Sequence, residues 1–81
     1  MKTKLLIEQH IHGAFGVDFN NCNVDEVLFV AKKLLSCGVG GFFPTLVTDS
    51  VENLKRQISV IKQAHFQESW ECAKVLGIHL E

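Results

Sequence analysis

Proline and cysteine are both scarce in this chain, and each scarcity narrows what the chain can be. One proline and six glycines among 81 residues argue against a disordered or low-complexity segment. Cys22, Cys37 and Cys72 are odd in number, widely spaced and form no C-x-x-C pair. That excludes a disulfide frame or a zinc knuckle and predicts reduced, mostly buried thiols. Positive charge is not in excess either: at a net charge of −1, neither nucleic acid nor an anionic membrane recommends itself as a partner. Long apolar runs are missing too. The opening Met1 to Ile7 has the basic start of a signal peptide, but Glu8, Gln9 and His10 end its apolar run after three residues, and no stretch has the length of a membrane span. A cytoplasmic protein is the expectation. Finally, every Lys and Arg lies near the N-terminus (Lys2, Lys4), on predicted helices, or at Lys74. None falls in residues 13–23 or 44–48, so a phosphate ester would find no cationic clamp in those loops.

What is present is an ordinary globular composition, 47% hydrophobic and 21% charged, in a chain long enough for one small domain over residues 1–81. Leu5 to His12 begins apolar and then alternates, as a strand does. Gly13 to Asn23 carries two glycines, Asp18 and three asparagines without a helical period, a long loop for a strand-to-helix connection. Asn23, followed by Asp25 and Glu26, supplies a cap and acids for a helix N-terminus. Val24, Val27, Leu28, Ala31, Leu34 and Leu35 then fall on one helical face, and Gly38 supplies the stop.

Val39 to Leu46 reads as a second strand that ends or bulges at Pro44. Thr48-Asp49-Ser50 with Glu52 is a second capping cluster, with Thr48 as cap. Val51, Leu54, Ile58, Ile61 and His65 share the face of a second helix. A polar connector around Trp70 leads to Ala73–Leu80, a continuous apolar run expected of a strand buried on both faces. The order is β-α-β-α-β, with crossovers of the length parallel strands need.

Two phrases carry chemistry. His10 and His12 are two apart, so on a strand they face the same way, with Cα atoms roughly 6.6 Å apart and imidazoles able to converge on one ion. They stand at a strand's carboxyl end before a Gly-containing loop, where α/β proteins place their sites. Glu8 shares their face, either as a carboxylate orienting an imidazole or as a structural or solvated charge. At the far end, His79 and Glu81 also point together. Glu81 alone would be a solvated charge; beside strand ends that already carry the His pair it becomes a candidate ligand. His79 reads as a hydrogen-bonded core histidine and His65 as packing. Asp18 either contacts substrate or forms a turn, the turn being favoured. No cysteine has an adjacent base, so thiol catalysis has little support.

Leu6-Ile7-Glu8-Gln9-His10-Ile11-His12-Gly13, then Gly16-Val17-Asp18-Phe19, Phe43-Pro44-Thr45-Leu46-Val47-Thr48 and Leu76-Gly77-Ile78-His79-Leu80-Glu81 resemble the amidohydrolase superfamily, and within it the deacetylases of N-acetylated amino-sugar phosphates. The likeness covers nearly the whole chain. His-x-His is shared by many amidohydrolases, whereas F-P-T-x-x-T with G-x-H-L-E is far more specific. Members that keep H-x-H usually carry Asp two residues before the first His; here that residue is Glu8.

The resemblance implies a partial (β/α)₈ barrel, its first three strands and two helices. It also implies a divalent metal, zinc or iron, as one or two ions held in part by His10, His12 and Glu81. It assigns no catalytic residue to this chain: the superfamily's further histidines, catalytic aspartate and phosphate contacts fall beyond Glu81, so the 81 residues are expected to be inactive alone. The implied substrate is a small amino-sugar phosphate. A truncated, non-catalytic oligomeric or metal-binding module, or a piece of another amidohydrolase, are the alternatives. Three strands alone leave two open sheet edges, which predicts a homo-oligomer or pairing with a complementary fragment.

Overall fold

A computed structural model describes residues 6–69 and 71–81; Lys2, Lys4, Leu5 and Trp70, which figured in the sequence reading, lie outside them. The elements follow in the order β1 (Leu6–Ile11), β2 (Gly13–Ala14), β3 (Val17–Asp18), α1 (Val24–Ser36), β4 (Val39–Leu46), α2 (Val51–Phe66), β5 (Lys74–Val75) and β6 (His79–Leu80). All pairings in the main sheet are parallel, with β4 at its centre, β1 on one side and β5 and β6 on the other. This is the α/β, βαβαβ unit that the alternation of periods predicts.

Helix α1 starts where its capping chemistry dictates. The Asn23 side chain accepts the Glu26 N–H at 2.8 Å while the Glu26 carboxylate accepts the Asn23 N–H at 3.0 Å, a reciprocal box that satisfies two otherwise free donors. It ends at Gly38, whose φ of +89° is open to glycine and costly for other residues. The buried stripe is Val27, Val30, Ala31 and Leu34; the sequence reading omitted Val30, which is fully buried, and Val24, Leu28 and Leu35 are only partly covered. Helix α2 is capped by Ser50, which accepts the Asn53 N–H at 3.1 Å, and not by Thr48. Its inner face is Gln57, Ile61 and Ala64, so Val51 and His65, both expected inside, are exposed: the axis is rotated relative to the predicted face.

Three further expectations change. The loop at residues 13–23 contains a small antiparallel hairpin, β2–β3, turning through Phe15 and Gly16 with positive φ at both. Pro44 does not end its strand: β4 runs on to Leu46, with Pro44 buried inside it. The pairing with β1 is irregular at two points: Leu6 pairs with Val39 but Ile7 with Gly41, an extra residue on β4. Glu8 pairs with Phe42 and Ile11 with Pro44, so β1 advances three residues while β4 advances two, a bulge on β1. The third strand is interrupted, not continuous: Phe42 pairs with Val75 and Thr45 with His79, which puts the surplus residue in 76–78.

Both helices pack together on the sheet, as same-handed crossovers to successive neighbours require. Phe19 and Phe42 stack in this layer with ring centroids 6.1 Å apart, among Val27, Val30, Ala31, Leu46, Ile61 and Ala64. Of the thiols, Cys72 is buried and Cys22 half-buried, but Cys37 is exposed, against expectation; all three are free. No described helix is long and apolar enough to cross a membrane.

Candidate metal centre

The carboxyl ends of the parallel strands form one rim, and the three predicted ligands meet there. The His10 and His12 Nε2 atoms lie 3.0 Å apart. Glu81 reaches both, Oε2 at 3.3 Å from His10 Nε2 and Oε1 at 3.5 Å from His12 Nε2. Since β4 separates β1 from β6, their backbones stand roughly two strand spacings apart, about 9.6 Å. Long side chains from each edge are needed to close that gap, and histidine and glutamate supply them.

These spacings suit a cation. With bonds of about 2.0–2.2 Å to nitrogen or oxygen, neighbouring donors stand about 3.4 Å apart around a tetrahedral ion and about 2.9 Å apart around an octahedral one. The observed 3.0 and 3.3 Å lie in that interval, and the 3.5 Å from His12, which is to the other carboxylate oxygen, lies just above it. One proton can bridge only one of the three edges at a time, whereas a cation at the common point satisfies all three donors. Among the described residues, His10, His12 and Glu81 form the one group of three or more such side chains close enough to hold a metal. Their side chains are about half exposed, at 44%, 45% and 51%, so solvent or a ligand reaches the point where they converge.

The other candidates separate from this group. His79 is exposed and not a core histidine; its ring stands edge-on to His10, centroids 5.2 Å apart. Glu8 is exposed, and the bulge that follows it breaks the simple alternation that put it on the histidines' face. Asp18 makes a turn, its Oδ1 accepting the Asn20 N–H at 2.9 Å. His65 pairs with Glu68 at 3.3 Å, far along α2.

The rim is held by polar contacts that sequence reasoning passed over. The buried Asn20 side chain accepts the Val47 N–H at 2.9 Å and donates to the Val47 carbonyl at 3.1 Å, as a strand neighbour would. Asn53 donates to the Asn20 carbonyl at 2.9 Å and to Asp49 Oδ2 at 2.6 Å. The Ser50 backbone N–H, then Asn20 and Asn53, hold the Asp49 carboxyl below the usual carboxylate range. Together these contacts tie the loop after β3 to the loop after β4. Gly13 completes the frame: a Cβ there would lie 2.0 Å from the Val17 carbonyl oxygen, a contact no side chain tolerates. That close approach lets the hairpin fold back so that Phe19 N–H reaches the His12 carbonyl at 2.9 Å. The asparagines in residues 20–23 were the available signal, but nothing in their spacing named Val47 as partner.

Comparison with known proteins gives a likeness over part of their length. No protein-family profile matches the chain. An N-acetylglucosamine-6-phosphate deacetylase of Caenorhabditis elegans is 37% identical over 81 aligned residues, covering 93% of this chain and 19% of that protein. Its namesake from Danio rerio is 40% identical over 79 residues, with the same coverage. A crystal structure of N-acetylglucosamine-6-phosphate deacetylase from Pasteurella multocida superimposes with a TM-score of 0.82 at 25% identity, over 96% of this chain and 20% of that one. Over nearly its whole length this chain is similar to N-acetylglucosamine-6-phosphate deacetylases. It spans about a fifth of the length of the relatives it matches.

Proposed function

We propose that this chain is the opening βαβαβ portion of a metal-dependent amidohydrolase that converts N-acetylglucosamine 6-phosphate to glucosamine 6-phosphate and acetate in the cytoplasm. The observation that carries the reading is the convergence of His10, His12 and Glu81 from two strands onto one point of the rim. The deacetylase names of its relatives give the substrate class. In this reading the two imidazoles and the Glu81 carboxylate hold a divalent cation, zinc or iron, as one or two ions. Bound there, the cation supplies Lewis acidity toward the acetamide carbonyl and a route to activated water at neutral pH.

The chain's own residues orient that site and leave it open to solvent. They provide no cation to grip a phosphate in residues 13–23 or 44–48. The Cys22 thiol does not compete as a nucleophile at neutral pH, since burial, helped by Glu26 and Asp18, pushes its pKa up to about 11. In this reading catalysis also draws on groups outside these 81 residues, and the chain alone is expected to be inactive.

Metal analysis of the purified chain beside a His10→Ala/His12→Ala double variant tests the site. The expected result is bound metal in the parent and a loss of about 100-fold or more in affinity in the variant; equal metal content in both overturns the assignment. Covering the exposed margins of the sheet is the second part of the reading. Leu6 and Ile7 on one edge strand and Leu76 and Leu80 beside the other are 65%, 58%, 47% and 56% exposed. A second copy or a complementary chain would bury them, at a gain of about 1.5–3 kcal/mol for each side chain fully covered. Light scattering is expected to show self-association, and a strictly monomeric species would contradict it.

A further inference from the structure

We propose that Thr45 is a positioning residue for the His10–His12 pair, acting through the backbone of Ile11 between them. The proposal rests on the metal-centre reading for its purpose, but its geometry stands alone. Two observations meet at this residue. The first is the bulge on β1 between Glu8 and Ile11, directly before and within the His-x-His phrase. A bulge disrupts the ladder locally and leaves backbone groups without a partner on the neighbouring strand. The second is the Thr45 hydroxyl, fully buried, which accepts the Ile11 N–H at 3.2 Å and donates to the Phe43 carbonyl at 3.2 Å.

The hydroxyl thus sits between the Ile11 N–H of β1 and the Phe43 carbonyl of β4, at the point where Ile11 rejoins the ladder opposite Pro44 after the bulge. The hydroxyl thereby adds a hydrogen bond to half-buried Ile11 where pairing resumes, and so favours the bulged conformation. That conformation carries both imidazoles, whose Nε2 atoms stand 3.0 Å apart. Thr45 also pairs in register with His79, two residues before Glu81, so one residue of the central strand neighbours both sources of donors. Removing the hydroxyl while keeping the volume should loosen Ile11 and let the histidines drift, with the helix-covered core untouched.

The test compares the parent chain with Thr45→Val, which keeps the shape and loses the hydroxyl, and Thr45→Ser, which keeps the hydroxyl. Two quantities are read: Zn²⁺ affinity by competition with a chromophoric chelator, and hydrogen exchange at the Ile11 amide by NMR. Thr45→Val is expected to weaken Zn²⁺ binding about 10–100-fold, the usual range for a group that orients a metal ligand, and to speed Ile11 exchange. Thr45→Ser should stay near the parent in both. An Ile11 amide that exchanges in the parent as fast as an open loop amide overturns the proposal without any variant. So does Thr45→Val binding Zn²⁺ as tightly as the parent, or Thr45→Ser losing as much as Thr45→Val. If the parent binds no Zn²⁺, the metal reading fails by itself, and Ile11 exchange in the variants still decides the Thr45 relay.

Discussion

The central strand and its two edge neighbours divide the work of this molecule. On β4, Phe42, Thr45 and Leu46 are buried to 1% exposure or less. On β1 and the third strand, the apolar residues Leu6, Ile7, Leu76 and Leu80 are roughly half or more exposed, and so are His10, His12 and Glu81. The central strand is paired on both sides and covered on one face by α1 within the chain. The edge strands are not, and they carry the donors. Stability is therefore concentrated where there is no chemistry, and the chemistry sits where support is thinnest. The link between them is polar, through Thr45 to Ile11 and through Asn20 to Val47.

Substitution at the centre should show the largest effect. Phe42 is fully buried against Phe19, and Phe42→Ala is expected to cost about 3–5 kcal/mol, comparable to all the stability a core of this size provides. Chemical denaturation should find the variant largely unfolded without denaturant. A cooperative transition within about 1 kcal/mol of the parent would mean that β4 is not the keystone. The edge gives the opposite expectation: the His10→Ala/His12→Ala variant, so damaging to metal content, should melt within a few degrees of the metal-free parent, because half-exposed side chains contribute little burial. If it unfolds, the division between centre and edge does not hold.

How much of this was legible before the coordinates depended on whether a feature is set by neighbours in sequence or neighbours in space. Helix α1 was legible from Asn23 to Gly38 because capping and apolar period are both local. Val39–Leu46 was legible to the residue, and so was the meeting of His10, His12 and Glu81, which needs only a two-residue period and a shared rim. The break in the third strand was not. Ala73–Leu80 is uniformly apolar, and only Gly77, packed so that a Cβ would meet the Phe43 ring at 3.1 Å, hints at it. His79 was read as core because a strand buried on both faces was assumed, and no second wall covers it. Thr45 lies near the end of the strand Val39–Leu46, but its role follows from a bulge on another strand, which no local pattern announces.

The smallest expected effect concerns Cys22, on the boundary between rim and core. Its Sγ lies 3.6 Å from the Gln57 side-chain oxygen, and burial first, then Glu26 and Asp18, raise its pKa from 9.0 to about 11. The thiolate is the reactive form, so at pH 8 this residue should alkylate roughly 100-fold more slowly than an unperturbed thiol. Its rate should keep rising about tenfold per pH unit through pH 10, where an unperturbed thiol has already levelled off. The sign for stability follows from the same shift. Above pH 9 the unfolded chain loses this proton while the folded chain keeps it, so the folded state binds more protons and weakens as pH rises toward 11. Exposed Cys37 serves as the internal reference in peptide mapping after brief iodoacetamide treatment. Should Cys22 label as fast as Cys37 at pH 8, the start of α1 is opening on that timescale, and the boundary belongs with the loosely held edges instead of with the centre.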